Sequence, residues 1–163
     1  MSVRVFRSLL IVAVMLVLGA VNWSVLGKER IRTGGERIFL ALAPVDPRSL
    51  MQGDYMALRF EIADRIDRSA SGSAPLLVDA NGIATLNPDH DAEGLRIRYR
   101  IRNGQVWIGT NAYFFEEGTA DRYAGARYGE FRIDRASGEA VLMGLADGNL
   151  NILNSGVRRD YGK

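Results

Sequence analysis

The chain has 163 residues, 47% apolar and 25% charged, with 21 basic side chains against 19 acidic, one histidine and no cysteine. That is room for one anchor and one domain with its own core, and the chain is too polar for a multispanning membrane protein. Disulfides, thiol catalysis and cysteine-based metal sites are excluded, and a lone histidine supports neither a multi-histidine metal site nor a Ser-His triad, so no cofactor or metal is expected.

The charge is unevenly placed. Residues 1–32 hold five basic side chains and one acidic, whereas residues 33–163 hold 16 and 18. The domain is slightly acidic and the basic excess belongs to the N-terminal flanks, so no nucleic-acid partner is expected.

From Leu9 to Leu26 no residue is charged, close to the ~20 residues that cross the hydrocarbon core as a helix. Arg4 and Arg7 form a basic leader, and Trp23 suits the far interface. The expectation is an uncleaved signal anchor, with residues 9–26 in the membrane and the C-terminal part exported to the extracytoplasmic side. Two readings compete. A signal peptide cleaved after Ala20 would put Leu18 where a small residue is wanted, and a soluble protein would bury the segment as a core helix. Residues 1–32 then form the anchor and its flanks, residues 33–154 a β-rich domain and residues 155–163 a flexible tail. Thr33-Gly34-Gly35 reads as a short flexible link.

The domain alternates like strands. Glu36–Ala43 puts Ile38, Leu40 and Leu42 on one face, and Tyr55–Ile62 puts Met56, Leu58, Phe60 and Ile62 inward. Pro44 to Ser49 cannot continue a central strand, and Ser69–Ala74 reads as a loop. Leu76–Val78 and Ile83–Leu86 flank a turn at Asp79-Ala80-Asn81-Gly82. Leu95–Arg102 is the cleanest strand, followed by an Asn103-Gly104 type I′ turn into Gln105–Phe115. Thr119 to Tyr128 is the one helix candidate, with Thr119 as N-cap. Phe131–Asp134 and Ala140–Leu145 form a last hairpin. The fold class is mainly β: an antiparallel β-rich domain with one short helix, behind a transmembrane helix.

Arg96, Arg98, Arg100 and Arg102 share one strand face. In a two-residue hairpin Arg100 faces Trp107, so an indole lies beside a guanidinium. The face suits an anionic lipid or polymer, because guanidinium forks match phosphates. The plainer alternative is a solvated face paired with acids from a neighbouring strand. Glu116 and Glu117, after the aromatic run Tyr113-Phe114-Phe115, are candidates for acid/base work. As the start of a helix they also suit its dipole. Tyr123 and Arg127 fall at helical i, i+4 spacing. His90 reads as a loop residue.

Gly53-Asp54-Tyr55-Met56-Ala57-Leu58-Arg59-Phe60 resembles the motif that names the GDYXXLXY proteins, small membrane-anchored bacterial proteins of uncharacterised function. The resemblance includes Ala43-Pro44-Val45-Asp46-Pro47-Arg48-Ser49-Leu50 upstream. Downstream it takes in Gly118-Thr119, Tyr123, Ala126-Arg127-Tyr128-Gly129-Glu130 and Ala140-Val141-Leu142, so it covers most of residues 28–153. It implies a partner, a multispanning membrane protein encoded nearby. The departure is Phe60 where the motif ends in Tyr, which marks the position as packing rather than chemistry.

The motif has a structural account of its own, in which Gly53 turns, Asp54 caps the turn and the alternate residues enter the core. Alternatively Asp46, Arg48, Asp54 and Tyr55, with Arg127 and Tyr128, form a recognition surface. Ser49-Leu50-Met51-Gln52-Gly53-Asp54 is also similar to a stretch of type I signal peptidases, which use a Ser nucleophile and a Lys base. No Ser lies between Pro44 and Arg48, and the two lysines are Lys28 and Lys163, so that dyad is missing. The expected function is a membrane-anchored, non-catalytic accessory or binding domain. Its alternatives are an envelope hydrolase using carboxylates such as Asp54 and Glu117, and an anion binder using the arginine strand.

Overall fold

The absence of proline from residues 1–43 lets one helix run without a break through a segment of leucine, valine and alanine. The computed structural model describes residues 3–43, 51–52, 55–69, 71–89 and 93–153. Its first element, α1, spans Val3–Gly34, and the segment Leu9–Gly34 is long and apolar enough to cross a membrane. Leu9 to Leu26 project away from the domain with their apolar side chains exposed, so the segment is no core helix of this chain. Asn22, a polar residue within it, donates its amide to the Leu18 carbonyl at 3.0 Å. The donor is thereby satisfied within the helix, as hydrocarbon requires.

The helix does not stop at a flexible link. It continues through Thr33, whose hydroxyl donates to the Glu29 carbonyl at 3.0 Å, and Gly35 N–H closes the last turn on the Ile31 carbonyl at 2.9 Å. Ile31 is 7% exposed. Arg132 donates to the Gly35 carbonyl at 3.1 Å, and Lys28 pairs with Glu139. A Cβ at Gly35 would collide with the Ile31 carbonyl and stand 3.1 Å from both Ile133 N and Ile133 O. Glycine is therefore what lets helix and sheet meet with one residue between them.

Among the described residues ten strands follow: β1 Glu36–Ala41, β2 Met51–Gln52, β3 Tyr55–Ala57, β4 Gly72–Val78, β5 Ala84–Leu86, β6 Arg96–Arg102, β7 Gln105–Trp107, β8 Ala112–Phe114, β9 Tyr128–Ile133 and β10 Ala140–Ala146. One four-residue helix, α2, covers Ala120–Tyr123. The strands form three antiparallel sheets with orders β1-β9-β10, β2-β3-β8 and β5-β4-β6-β7. Isolated bridges join them, Phe39 to Ile83 and Leu42 to Phe60. All three sheets drain into one core containing Ile38, Leu40, Phe60, Ile97, Ile108, Phe131, Ile133 and Leu145. The fold class is thus an antiparallel β-rich domain behind a long apolar helix.

Most inward positions follow the alternation, and several boundaries do not. Met56, Leu58, Phe60 and Ile62 are all buried, yet the strand ends at Ala57 and a 3-10 turn takes over at Glu61–Asp64. β4 begins at Gly72, inside the expected loop, because Ser73 and Ala74 pair with Arg98 and Ile97. The run from Gln105 is two strands, since Ile108 dives into the core and β8 then pairs with β3 instead of β6. The helix over Thr119–Tyr128 is one turn only, because Tyr128 is claimed by Ala41 and Ala146 on its two sides. Thr119 makes no capping bond and donates instead to the Glu116 carbonyl at 2.6 Å. Tyr123 is buried under Tyr113 and Phe115 while Arg127 is exposed, so they are no helical pair.

Candidate functional site

The Asn103-Gly104 turn has φ of 50° and 70°, as a type I′ hairpin demands, and registers Arg102 with Gln105 and Arg100 with Trp107. The guanidinium over the indole belongs to the diagonal neighbour, Arg102, whose Cζ lies 5.5 Å from the Trp107 ring centroid. Arg96 turns toward β4, donating from Nε to Ser73 Oγ at 3.2 Å and from a terminal nitrogen to the Ser73 carbonyl at 3.1 Å. No acid flanks the stripe on the paired strands: β4 presents Ser73 and Pro75, and β7 presents Gln105 and Trp107.

What the strand does border is a groove of ≈ 370 Å³, whose walls include Arg98, Arg100, Arg102, Trp107, Lys28 and Glu139, with Val141 and Leu142 on the apolar side. Lys28 comes from near the end of the apolar helix, 68 residues before the hairpin begins at Arg96. Glu139 is delivered by the β9–β10 turn. That turn is held by the Asp134 carboxylate, which accepts from Ser137 N–H at 3.0 Å and Ser137 Oγ at 2.5 Å. These bonds hold the Asp134 carboxyl below the ordinary carboxylate range. Gly138 then accepts from Arg98 N–H at 2.7 Å, pinning the turn to β6.

A second concavity of ≈ 450 Å³ is lined by Leu58, Arg59 and Phe60 of the motif together with Arg68, Trp107 and Asn111. Its charges are paired locally, since Asp64 accepts from Arg59 at 2.5 Å and from Arg68 at 3.4 Å. Trp107 Nε1 and Asn111 Oδ1 are buried there without a partner among the described residues. Phe60 is 2% exposed, meets Phe131 edge-on at 5.2 Å and supports Gly129, where a Cβ would stand 2.9 Å from Phe60 Cε1.

A family model described as GDYXXLXY protein matches residues 17–145. The chain belongs to the GDYXXLXY protein family. No curated protein and no solved structure matches it. The GDYXXLXY match begins inside α1 and ends in β10, so it takes in both Lys28 and Ile31 and the sheet they rest on. Within this GDYXXLXY chain the last motif position, Phe60, is a packing residue.

Of the motif residues singled out for recognition, Asp46, Arg48 and Asp54 lie outside the described residues, as do His90, the tail after residue 154 and the turn at Gly53. Tyr55 sits on β3 against Phe114, ring centroids 5.8 Å apart, whereas Arg127 and Tyr128 lie at the start of β9 in a different sheet. Arg127 is exposed and accepts from Leu42 N–H through its carbonyl at 2.9 Å. Glu116 and Glu117 are exposed in the turn before α2. Among the described residues no three His, Asp or Glu side chains gather as a metal would require. Burial, and then the hydrogen bond to Tyr123, pushes the Tyr113 phenol up from its ordinary value of 10.0. Two contributors escaped the sequence: Lys28 and Glu139 are 111 residues apart, and nothing local pairs them. Phe114, 73% exposed beside Tyr55, was legible only as part of an aromatic run.

Proposed function

We propose that this protein is a non-catalytic binding domain, anchored in the bacterial inner membrane and working on its extracytoplasmic side as an accessory to an integral membrane protein. The observation that carries this reading is the seated helix end. With Ile31 buried, Lys28 paired to Glu139 and Arg132 bonded to Gly35, the domain has little freedom to swivel on its anchor. A loose tether lets a domain search for diffusing targets, whereas a fixed one presents a chosen face at a chosen height. That geometry suits a partner that is itself fixed in the bilayer. The basic leader followed by an apolar run and a polar domain supports export.

The contact surface is Tyr55 with its exposed neighbour Phe114, flanked in sequence by Asp46, Arg48 and Asp54, and extended by Arg127 and Tyr128 from the start of β9 in a different sheet. Surface aromatics, here half-buried Tyr55 and exposed Phe114, are side chains of the kind that anchor protein interfaces. The double substitution Arg48→Ala/Tyr55→Ala in full-length protein tests it. Recovery of the integral membrane protein encoded nearby should fall when the variant is purified from crosslinked native membranes; undiminished recovery refutes the surface. The absence of cysteine makes orientation equally testable. Asn149→Cys should react with an impermeant maleimide in intact spheroplasts, and failure to react until the membrane is opened refutes export.

A further inference from the structure

We propose that the groove between the end of α1 and the β6–β7 hairpin binds the phosphate of an anionic phospholipid from the leaflet against which the domain rests. Three observations converge on it. The first is charge without compensation. Lys28, Arg98, Arg100 and Arg102 face the groove against one carboxylate, Glu139, which is already paired with Lys28. Arg98 and Arg100 have no side-chain hydrogen bond or ion pair among the described residues, and Arg102 has only the indole of Trp107. Uncompensated arginines held side by side on a strand repel one another, and their forked donors match a phosphate's oxygens.

The second observation is height. Lys28 stands two positions beyond Leu26, the last residue of the uncharged run. At ~1.5 Å of rise per residue it lies about 3 Å past the end of that run. The headgroup layer is about 5–8 Å thick on each side of the hydrocarbon, so the groove opens within it. The third is the wall chemistry. Trp107 is a side chain of the membrane interface, and half-buried Val141 and Leu142 give the glycerol carbons an apolar surface. The seated helix keeps groove and bilayer in register. No protein partner is needed, so this site stands or falls separately from the contact surface around Tyr55.

Native mass spectrometry of the full-length protein released from detergent tests the site, with phosphatidylglycerol and a phosphate-free galactosyl diacylglycerol as probes. The wild-type chain should retain phosphatidylglycerol in preference to the sugar lipid. Arg98→Gln/Arg100→Gln should weaken that retention roughly 25-fold, from about fivefold for each basic side chain at a membrane surface. Arg37→Gln/Arg122→Gln, exposed on β1 and α2 and outside the groove, should leave it unchanged. Both altered arginines are exposed, so the core is untouched, and the comparison of two lipids on wild-type protein needs no variant. Equal retention of the two lipids by wild type overturns the proposal, as does equal retention of phosphatidylglycerol by the Arg98/Arg100 variant. Complete displacement of the lipid by micromolar inorganic phosphate would assign the groove to a soluble anion and overturn the lipid source; no displacement supports it.

Discussion

Removing the Phe60 ring should unseat the contact between the end of the family's motif and β9, and the cost follows from what the ring touches. Phe60 is 2% exposed and meets Phe131 edge-on at 5.2 Å. Truncating a core phenylalanine to alanine costs ~3–5 kcal/mol. The edge-to-face partner adds about 0.5–1.5 kcal/mol beyond area burial, which places Phe60→Ala at about 5 kcal/mol. In a domain of about 120 residues that lowers Tm by roughly 20 °C. Gly129→Ala attacks the same contact from the other side. Its Cβ would stand 2.9 Å from Phe60 Cε1, 3.1 Å from Phe131 Cε2 and 3.2 Å from Leu142 Cδ1. Overpacking of this kind costs ~1–3 kcal/mol. Because Phe60→Ala vacates the nearest of those three atoms, the double variant should be more stable than the sum of the singles by ~1 kcal/mol. Thermal unfolding of full-length protein in detergent micelles, followed by near-ultraviolet circular dichroism, measures all four chains. A fall in Tm below about 4 °C for Phe60→Ala refutes the packing role, taking about 4 °C per kcal/mol. Strict additivity refutes the shared contact.

Gly35→Val should tilt the anchor on the domain, because its side chain would meet the Ile31 carbonyl and the Ile133 backbone. Spin labels at Val25 and Asn149 would report a shifted, broadened distance distribution, and an unchanged one refutes the seated junction. Gly104→Ala forces an alanine to φ near 70°, at ~1–2 kcal/mol, and should loosen the Arg102–Trp107 contact. In a Trp23→Phe background the near-ultraviolet signal of Trp107 should weaken. The Asp134 carboxyl is held below its ordinary 3.8 by Ser137, so as pH falls the unfolded chain takes up the proton first. Its contribution is therefore present above 3.8 and is lost as pH falls below that value. Wild type should lose more stability than Asp134→Ala between about pH 5 and about pH 3; parallel acid limbs refute the turn's role.

What was legible in advance was what a chain's own periodicity reports. Eighteen uncharged residues dictated an apolar helix wherever they lay. A period of two sorted Leu95 and Ile97 from Arg96 and Arg98, and Asn103-Gly104 set the hairpin register, since positive φ at both positions is a local property. Met56, Leu58, Phe60 and Ile62 were assigned inward correctly even though their strand ends at Ala57, because a side chain's preference for the core outlasts the ladder. Strand ends were another matter. Tyr128 joins β9 rather than a helix because Ala41 and Ala146 offer it two ladders, and one of those strands lies 87 positions away. The same distance hid the groove: four positive charges converge on it because α1 docks against β9 and β10, and the helix carries no record of that choice in its own sequence. Residue order by itself determined which faces are apolar, charged or turned. Tertiary structure alone decided which of them meet, because register between distant segments is selected by the shared core and not by either segment.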